Sequence, residues 1–147
     1  MALIDQSRQV SATPDLRRTA ALVVGDALAF MLFAAIGRAS HGEASGLDAI
    51  LQVAETAAPF MVGWFVIAPF VGAYAPAITS RPRSMFGRVA LAWLIAWPIG
   101  LVLRAVIRST SIAPRFAVIT LATVLLILLG WRGAFAWLST RARRASA

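Results

Sequence analysis

Residues 88–104, RVALAWLIAWPIGLVLR, form an apolar run with an arginine at each end. On a helix, Arg88, Ala92, Ala96, Gly100 and Arg104 recur every fourth residue and fall on one stripe. The three middle residues are small, which lets a neighbouring helix approach closely in lipid. The same stripe puts Arg104 on a packing face, directed at protein rather than at lipid. This run therefore reads as one span of a multi-pass membrane protein.

The composition agrees. Hydrophobic residues make up 60% of the 147 positions, and the mean hydropathy is +0.79. A soluble domain carries roughly 45–50% apolar residues. There is no cysteine, which removes disulfides, thiolate metal sites and thiol nucleophiles. A single histidine makes a histidine-based metal site a poor fit. All 14 basic residues are arginine, and the net charge is +8. In a soluble protein that charge would suggest nucleic acid. Here the arginines lie between apolar segments, where they set topology, so no nucleic-acid partner is expected.

Three further apolar segments flank the central one. The first covers about 19–36 and follows a polar tail, residues 1–18, that lacks the apolar core of a signal peptide. Ala21, Gly25 and Ala29 make a second small-residue stripe in it, with Asp26 beside the stripe. An ionisable residue at that depth costs at least ~2.5 kcal/mol to insert, so it should face protein or water. Residues 37–56 read as a polar connection with Arg38, His41, Glu43, Asp48 and Glu55; Asp48 suits the cap of a short amphipathic turn. The second segment, 57–74, carries Pro59 in its first turn and Pro69 in its interior. Loops are expected at 75–88 and 105–115, and the fourth segment runs from Phe116 to Leu138. A basic tail, 139–147, closes the chain. The expected architecture is an all-α, four-helix transmembrane bundle spanning 19–138, with its second and third helices kinked by proline.

Charge sets the orientation. With both termini cytoplasmic, Arg8, Arg17, Arg18, Arg81, Arg83, Arg88, Arg132, Arg141, Arg143 and Arg144 lie inside. Arg38, Arg104, Arg108 and Arg115 lie outside. The expected location is the inner (plasma) membrane with both termini in the cytoplasm.

Depth then limits which polar groups can meet, because a helix rises ~1.5 Å per residue. Asp26 and Arg104 differ by roughly 12 Å in depth on that rise. Arg132, on the returning fourth helix, lies nearer the level of Asp26. The expected partner of Asp26 is therefore Arg132 or a hydroxyl such as Thr123, and a neutral Asp26 is a further option. Arg104 groups instead with Arg38, His41 and Glu55 near the outer surface. Such a cluster can hold an anion or a lipid headgroup, meet a partner, or cap helix ends. Trp93 and Trp97 share a face one turn apart; stacking on a pigment, quinone or lipid and packing between helices both fit. Trp131 and Trp137 suit an aromatic belt.

Several strings occur together in order: Gly25-Asp26, Gly37-Arg38, Ser40-His41-Gly42, Pro59-Phe60, Gly63-Trp64, Gly72-Ala73-Tyr74, and Pro98 with Gly100-Leu101 leading to Leu103-Arg104. Over residues 19–133 the set resembles a family of small four-helix bacterial and archaeal membrane proteins catalogued as a domain of unknown function. The resemblance implies a multi-pass architecture and no defined activity.

No nucleophile–base arrangement, metal spacing, phosphate-binding glycine loop or nucleotide fingerprint is present in the sequence. A lipid-modifying chemistry at His41 and Glu55 lacks the accompanying motifs. The expected role is thus non-enzymatic and without a cofactor: an accessory subunit packed against a larger membrane protein complex. The alternative is a small oligomeric transporter or channel-like protein using Asp26 and the outer cluster.

Overall fold

The computed structural model describes residues 16–39, 46–79 and 81–145. The described residues form five helices and no strand: α1 Leu16–Ala39, α2 Gly46–Phe70, α3 Pro76–Thr79, α4 Pro82–Arg108 and α5 Pro114–Ala145. Four of them are long and apolar enough to cross a membrane; α3 is a single turn. Residues 1–15 of the N-terminal polar stretch lie outside the described residues, whereas α5 runs through most of the C-terminal basic stretch to Ala145.

The helices pack as a ring in the order α1, α2, α4, α5 and back to α1. Each neighbouring pair runs antiparallel. Asp26 meets Trp64 while Arg38 meets Gln52, so α1 and α2 oppose each other. Trp93 meets Leu121 and Trp97 meets Ala117, so α4 and α5 do the same. The start of α1 and the end of α5 consequently lie at one end of the bundle.

The interior is aromatic. Phe30, Phe60, Trp64 and Trp93 are wholly buried and touch edge-on or tilted, with Phe30 5.5 Å from Trp93 and Phe60 6.2 Å from it. Outward-facing Leu28, Leu32, Val66, Val102, Val118 and Leu126 are more than half exposed. An apolar surface of that extent suits lipid contact rather than water.

The closest crossing is between α2 and α4. Ala92, Ala96 and Gly100 are all buried there. A Cβ on Gly63 would sit 2.8 Å from the Ala96 carbonyl oxygen, and one on Gly100 would sit 3.1 Å from the Phe60 Cα. The stripe of α1 behaves differently. Gly25 is buried beneath the Trp131 indole, Ala29 is buried, and Ala21 is exposed. That stripe receives one large side chain rather than a second backbone.

Proline placement departs from the sequence reading. Residues 46–56 continue α2 instead of forming a separate turn, so Pro59 lies in the helix interior rather than its first turn. Pro69 lies in the last turn, since α2 stops at Phe70. Asp48 occupies the first turn, where a carboxylate favours the helix N-terminus. Helix α4 carries Pro98 inside and extends to Arg108, which shortens the loop expected at 105–115. It ends at Ser109 in the left-handed region, whose N–H reaches the Ala105 and Val106 carbonyls.

Candidate functional site

The polar centre is built on the way α2 ends. Gly72 has φ +76, a conformation that glycine adopts without steric cost. The Ala73 N–H bonds the Ala68 carbonyl at 2.9 Å, and the Gly72 N–H bonds the Pro69 carbonyl at 3.0 Å. This is a Schellman ending, which closes the helix and reverses the chain. The reversal leaves the Ala73 carbonyl and the Tyr74 side chain directed back into the bundle.

Asp26 of α1 and Arg132 of α5 meet at this level, both with no exposed surface. Arg132 donates from Nε to Asp26 Oδ1 at 3.1 Å and from Nη2 to Oδ2 at 2.5 Å. The two parallel bonds are the fork geometry in which a guanidinium holds a carboxylate most strongly. Its Nη1 donates to the Ala73 carbonyl at 2.7 Å. Tyr74 donates its phenol O–H to Asp26 Oδ2 at 2.6 Å. The Trp64 indole N–H reaches both Asp26 Oδ2 and the Tyr74 oxygen at 3.0 Å. The guanidinium also lies 4.8 Å from the Tyr74 ring centre. Thr123 is not among these partners.

Sequence reading missed Trp64, Tyr74 and the Ala73 carbonyl as members of this centre. Tyr74 is the chain's single tyrosine, and it follows Gly72 by two residues. That pairing of a helix-ending glycine with a nearby phenol was the available signal.

Arginines from three helices converge on the same corner. Besides Arg132, Arg88 of α4 donates to the Val71 carbonyl at 3.0 Å, and Arg18 of α1 donates to the Thr79 carbonyl at 2.7 Å. The last carbonyls of a helix have no partner within it and carry partial negative charge. The corner after α2 is thus held by cations from its neighbours.

The second polar region lies at the opposite end of the bundle. All four long helices line a cavity of about 420 Å³ there, with Arg38, Arg104 and Arg108 among its walls. Arg38 donates to the Gln52 side-chain oxygen. Arg104 lies 4.3 Å over the Phe116 ring. Glu55 pairs with Arg108 at 3.3 Å rather than with Arg104. Arg108, which the sequence reading places on the outer side but not in this cluster, continues the four-residue stripe by one step. His41 lies outside the described residues.

Trp93 and Trp97 hold helices together. Their indole N–H groups donate to the Leu121 and Ala117 carbonyls of α5, each at 3.0 Å. Trp93 is fully buried. The indole N–H groups of both residues face α5, and Trp97 is only partly buried. Trp131 covers Gly25, and half-exposed Trp137 lies 3.8 Å from Arg141.

Among the described residues no group of three histidine, cysteine, aspartate or glutamate side chains could hold a metal ion. Residues 23–135 match a family described as a protein of unknown function (DUF3054), and the chain belongs to that family. No curated protein and no solved structure matches the chain.

Proposed function

We propose that this DUF3054 member is an accessory subunit of a larger membrane protein complex, with no catalysis of its own. It spans the inner membrane four times with both termini in the cytoplasm, and Pro59 and Pro98 bend α2 and α4. The arginine-rich end of the bundle, with Arg17, Arg18, Arg81, Arg83, Arg88 and Arg141, supports that orientation.

One observation carries the reading. Among the described residues Asp26 is the one buried acidic residue, and its carboxylate is fully occupied by Arg132, Tyr74 and Trp64. An ionisable group on a transport path must exchange partners with water or an ion. This one is closed in by α1, α2 and α5 and acts as a latch between the first and last helices. The wholly buried Phe30, Phe60, Trp64 and Trp93 further obstruct the bundle axis.

A groove between α1 and α5 supports partner packing. It has a volume of about 410 Å³ and is floored by Ala21, Gly25 and Ala29. The buried Trp131 Nε1 on its wall has no hydrogen-bond partner among the described residues. The exposed Ala21 with the apolar rim of Val24, Leu28 and Leu32 suits a partner helix packing in lipid.

Gentle-detergent purification of the tagged native protein followed by mass spectrometry tests the proposal. A stoichiometric larger complex is expected, and its loss in Ala21→Leu would place the contact on this groove. A homo-oligomer carrying only lipid would refute the accessory role. The transporter reading draws on the arginine-lined cavity; it requires flux through reconstituted protein that Asp26→Asn abolishes with normal insertion.

A further inference from the structure

Among the described residues, the cavity at the end of the bundle remote from Asp26 carries more positive charge than its neighbours neutralise. Arg38, Arg104 and Arg108 contribute three guanidinium groups to its lining. Among the described residues, Glu55 pairs with Arg108, and no carboxylate pairs with Arg38 or Arg104. Arg38 is engaged by the neutral Gln52 amide, and Arg104 lies against the Phe116 ring. Both contacts hold a guanidinium in place without discharging it, which leaves the fork available to an oxyanion.

A second observation is independent of charge. Thr120 lines the same cavity with no exposed surface, and its hydroxyl has no hydrogen-bond partner among the described residues. An orphaned buried hydroxyl costs about 1–3 kcal/mol and calls for a partner that the described residues do not supply. The remaining wall is apolar, from Phe33, Phe116 and Ile119. A volume of about 420 Å³ is large enough for a headgroup and the start of a chain.

We infer that this cavity binds the phosphate group of an anionic amphiphile: Arg38 and Arg104 hold the oxyanion, Thr120 donates to it, and Phe33, Phe116 and Ile119 cover the adjoining chain. Arg108, tied to Glu55, forms the rim. A phosphodiester lipid headgroup and a soluble organic phosphate share the oxyanion chemistry. They differ in whether the apolar wall contributes. The inference does not depend on the accessory role and stands or falls without it.

The test uses the full chain, delipidated in detergent, with native mass spectrometry at defined ratios of phosphatidylglycerol or phosphatidylcholine. Glycerol 1-phosphate serves as the soluble competitor. Retention of phosphatidylglycerol over phosphatidylcholine is expected, with about tenfold weaker retention in Arg38→Gln and in Arg104→Gln. Arg141→Gln, at the other end of the bundle, should bind as the wild type does. Thr120→Val should weaken retention while leaving the empty protein as stable or more stable, because it removes the orphaned hydroxyl. A merely structural threonine would not separate those two readouts.

Displacement by glycerol 1-phosphate would assign the site to the phosphate group alone, and resistance to it would assign the site to a lipid; both support the inference. Equal retention of the two lipids, or wild-type retention in both Arg38→Gln and Arg104→Gln, would overturn it. The two arginines sit on different helices, so misfolding of one variant, seen by circular dichroism, leaves the other to decide.

Discussion

Replacing Asp26 by asparagine keeps the shape of the side chain and removes its charge. The carboxylate accepts four bonds, from Arg132 Nε and Nη2, the Tyr74 phenol and the Trp64 indole. An amide offers one oxygen, which can keep the bonds made to Oδ2, and turns its NH₂ toward the Arg132 Nε donor. The Nε bond is then lost and the Nη2 bond no longer joins two charges. At roughly 1.5–3 kcal/mol for each affected bond, that is at most about 3–6 kcal/mol. Breaking one side of a buried ion pair independently suggests about 3–5 kcal/mol. The two estimates agree because both measure an unpaired guanidinium with no exposed surface. Arg132→Met should cost less, since a carboxyl group can shed its charge by taking up a proton and a guanidinium cannot. The double variant should be more stable than Asp26→Asn alone, because it removes the stranded cation. Unfolding in mixed detergent–dodecyl sulfate micelles, followed by circular dichroism, gives all three free energies. A loss below about 1 kcal/mol in Asp26→Asn, or strict additivity in the double variant, would refute the latch.

Tyr74→Phe should lose about 1.5–3 kcal/mol in the same assay, since it deletes one bond to the carboxylate and keeps the ring against Arg132. Gly63→Ala should separate α2 from α4 and lower stability by about 1–3 kcal/mol, whereas Gly37→Ala, with nothing within 4 Å, should be neutral or gain up to about 1 kcal/mol. Gly72→Ala forces a Cβ into the left-handed region at about 1–2 kcal/mol and shifts the Ala73 carbonyl away from Arg132, so its measured loss should exceed the backbone term alone. Trp97→Phe should remove about 0.5–1.5 kcal/mol in the same assay through the lost bond to the Ala117 carbonyl.

The spans were legible because apolar length and charge position are properties of the chain alone. The four-residue stripe of α4 likewise reads straight from sequence, since helix geometry fixes which residues share a face. Rise per residue is enough to single out Arg132 as the cation at the depth of Asp26. What depth cannot supply is the azimuth of a residue around its helix, or the course of the chain after a helix ends. Tyr74 reaches Asp26 only because Gly72 reverses the backbone, and Thr120 matters only because four helices leave a space beside it. Glu55 illustrates the same limit: Arg104 and Arg108 are both on the right stripe, and one turn of height decides which meets it. The stripe of Ala21 and Gly25 shows that small residues permit close contact without saying with what; here the answer at Gly25 is an indole.

Lipid explains why the polar contacts lie where they do. Between helices in a bilayer there is no hydrophobic driving force, so a ring of four must be closed by packing and hydrogen bonds. Three of the four contacts in this ring join helices adjacent in the chain, apart from the one-turn α3, and short connections favour them. The fourth, between α1 and α5, joins the ends of the domain and has no connection to favour it. That seam is where the Asp26–Arg132 pair sits, with the Trp131 indole set into Gly25 beside it. At the far end, among the described residues, there is no comparable buried ion pair: the guanidiniums of Arg38 and Arg104 line a cavity and no carboxylate pairs with them. If stability were their only role, a carboxylate opposite them would serve better than an open space. Among the described residues, the contrast between a neutralised seam at one end and arginines without a carboxylate at the other is what the proposed anion site rests on.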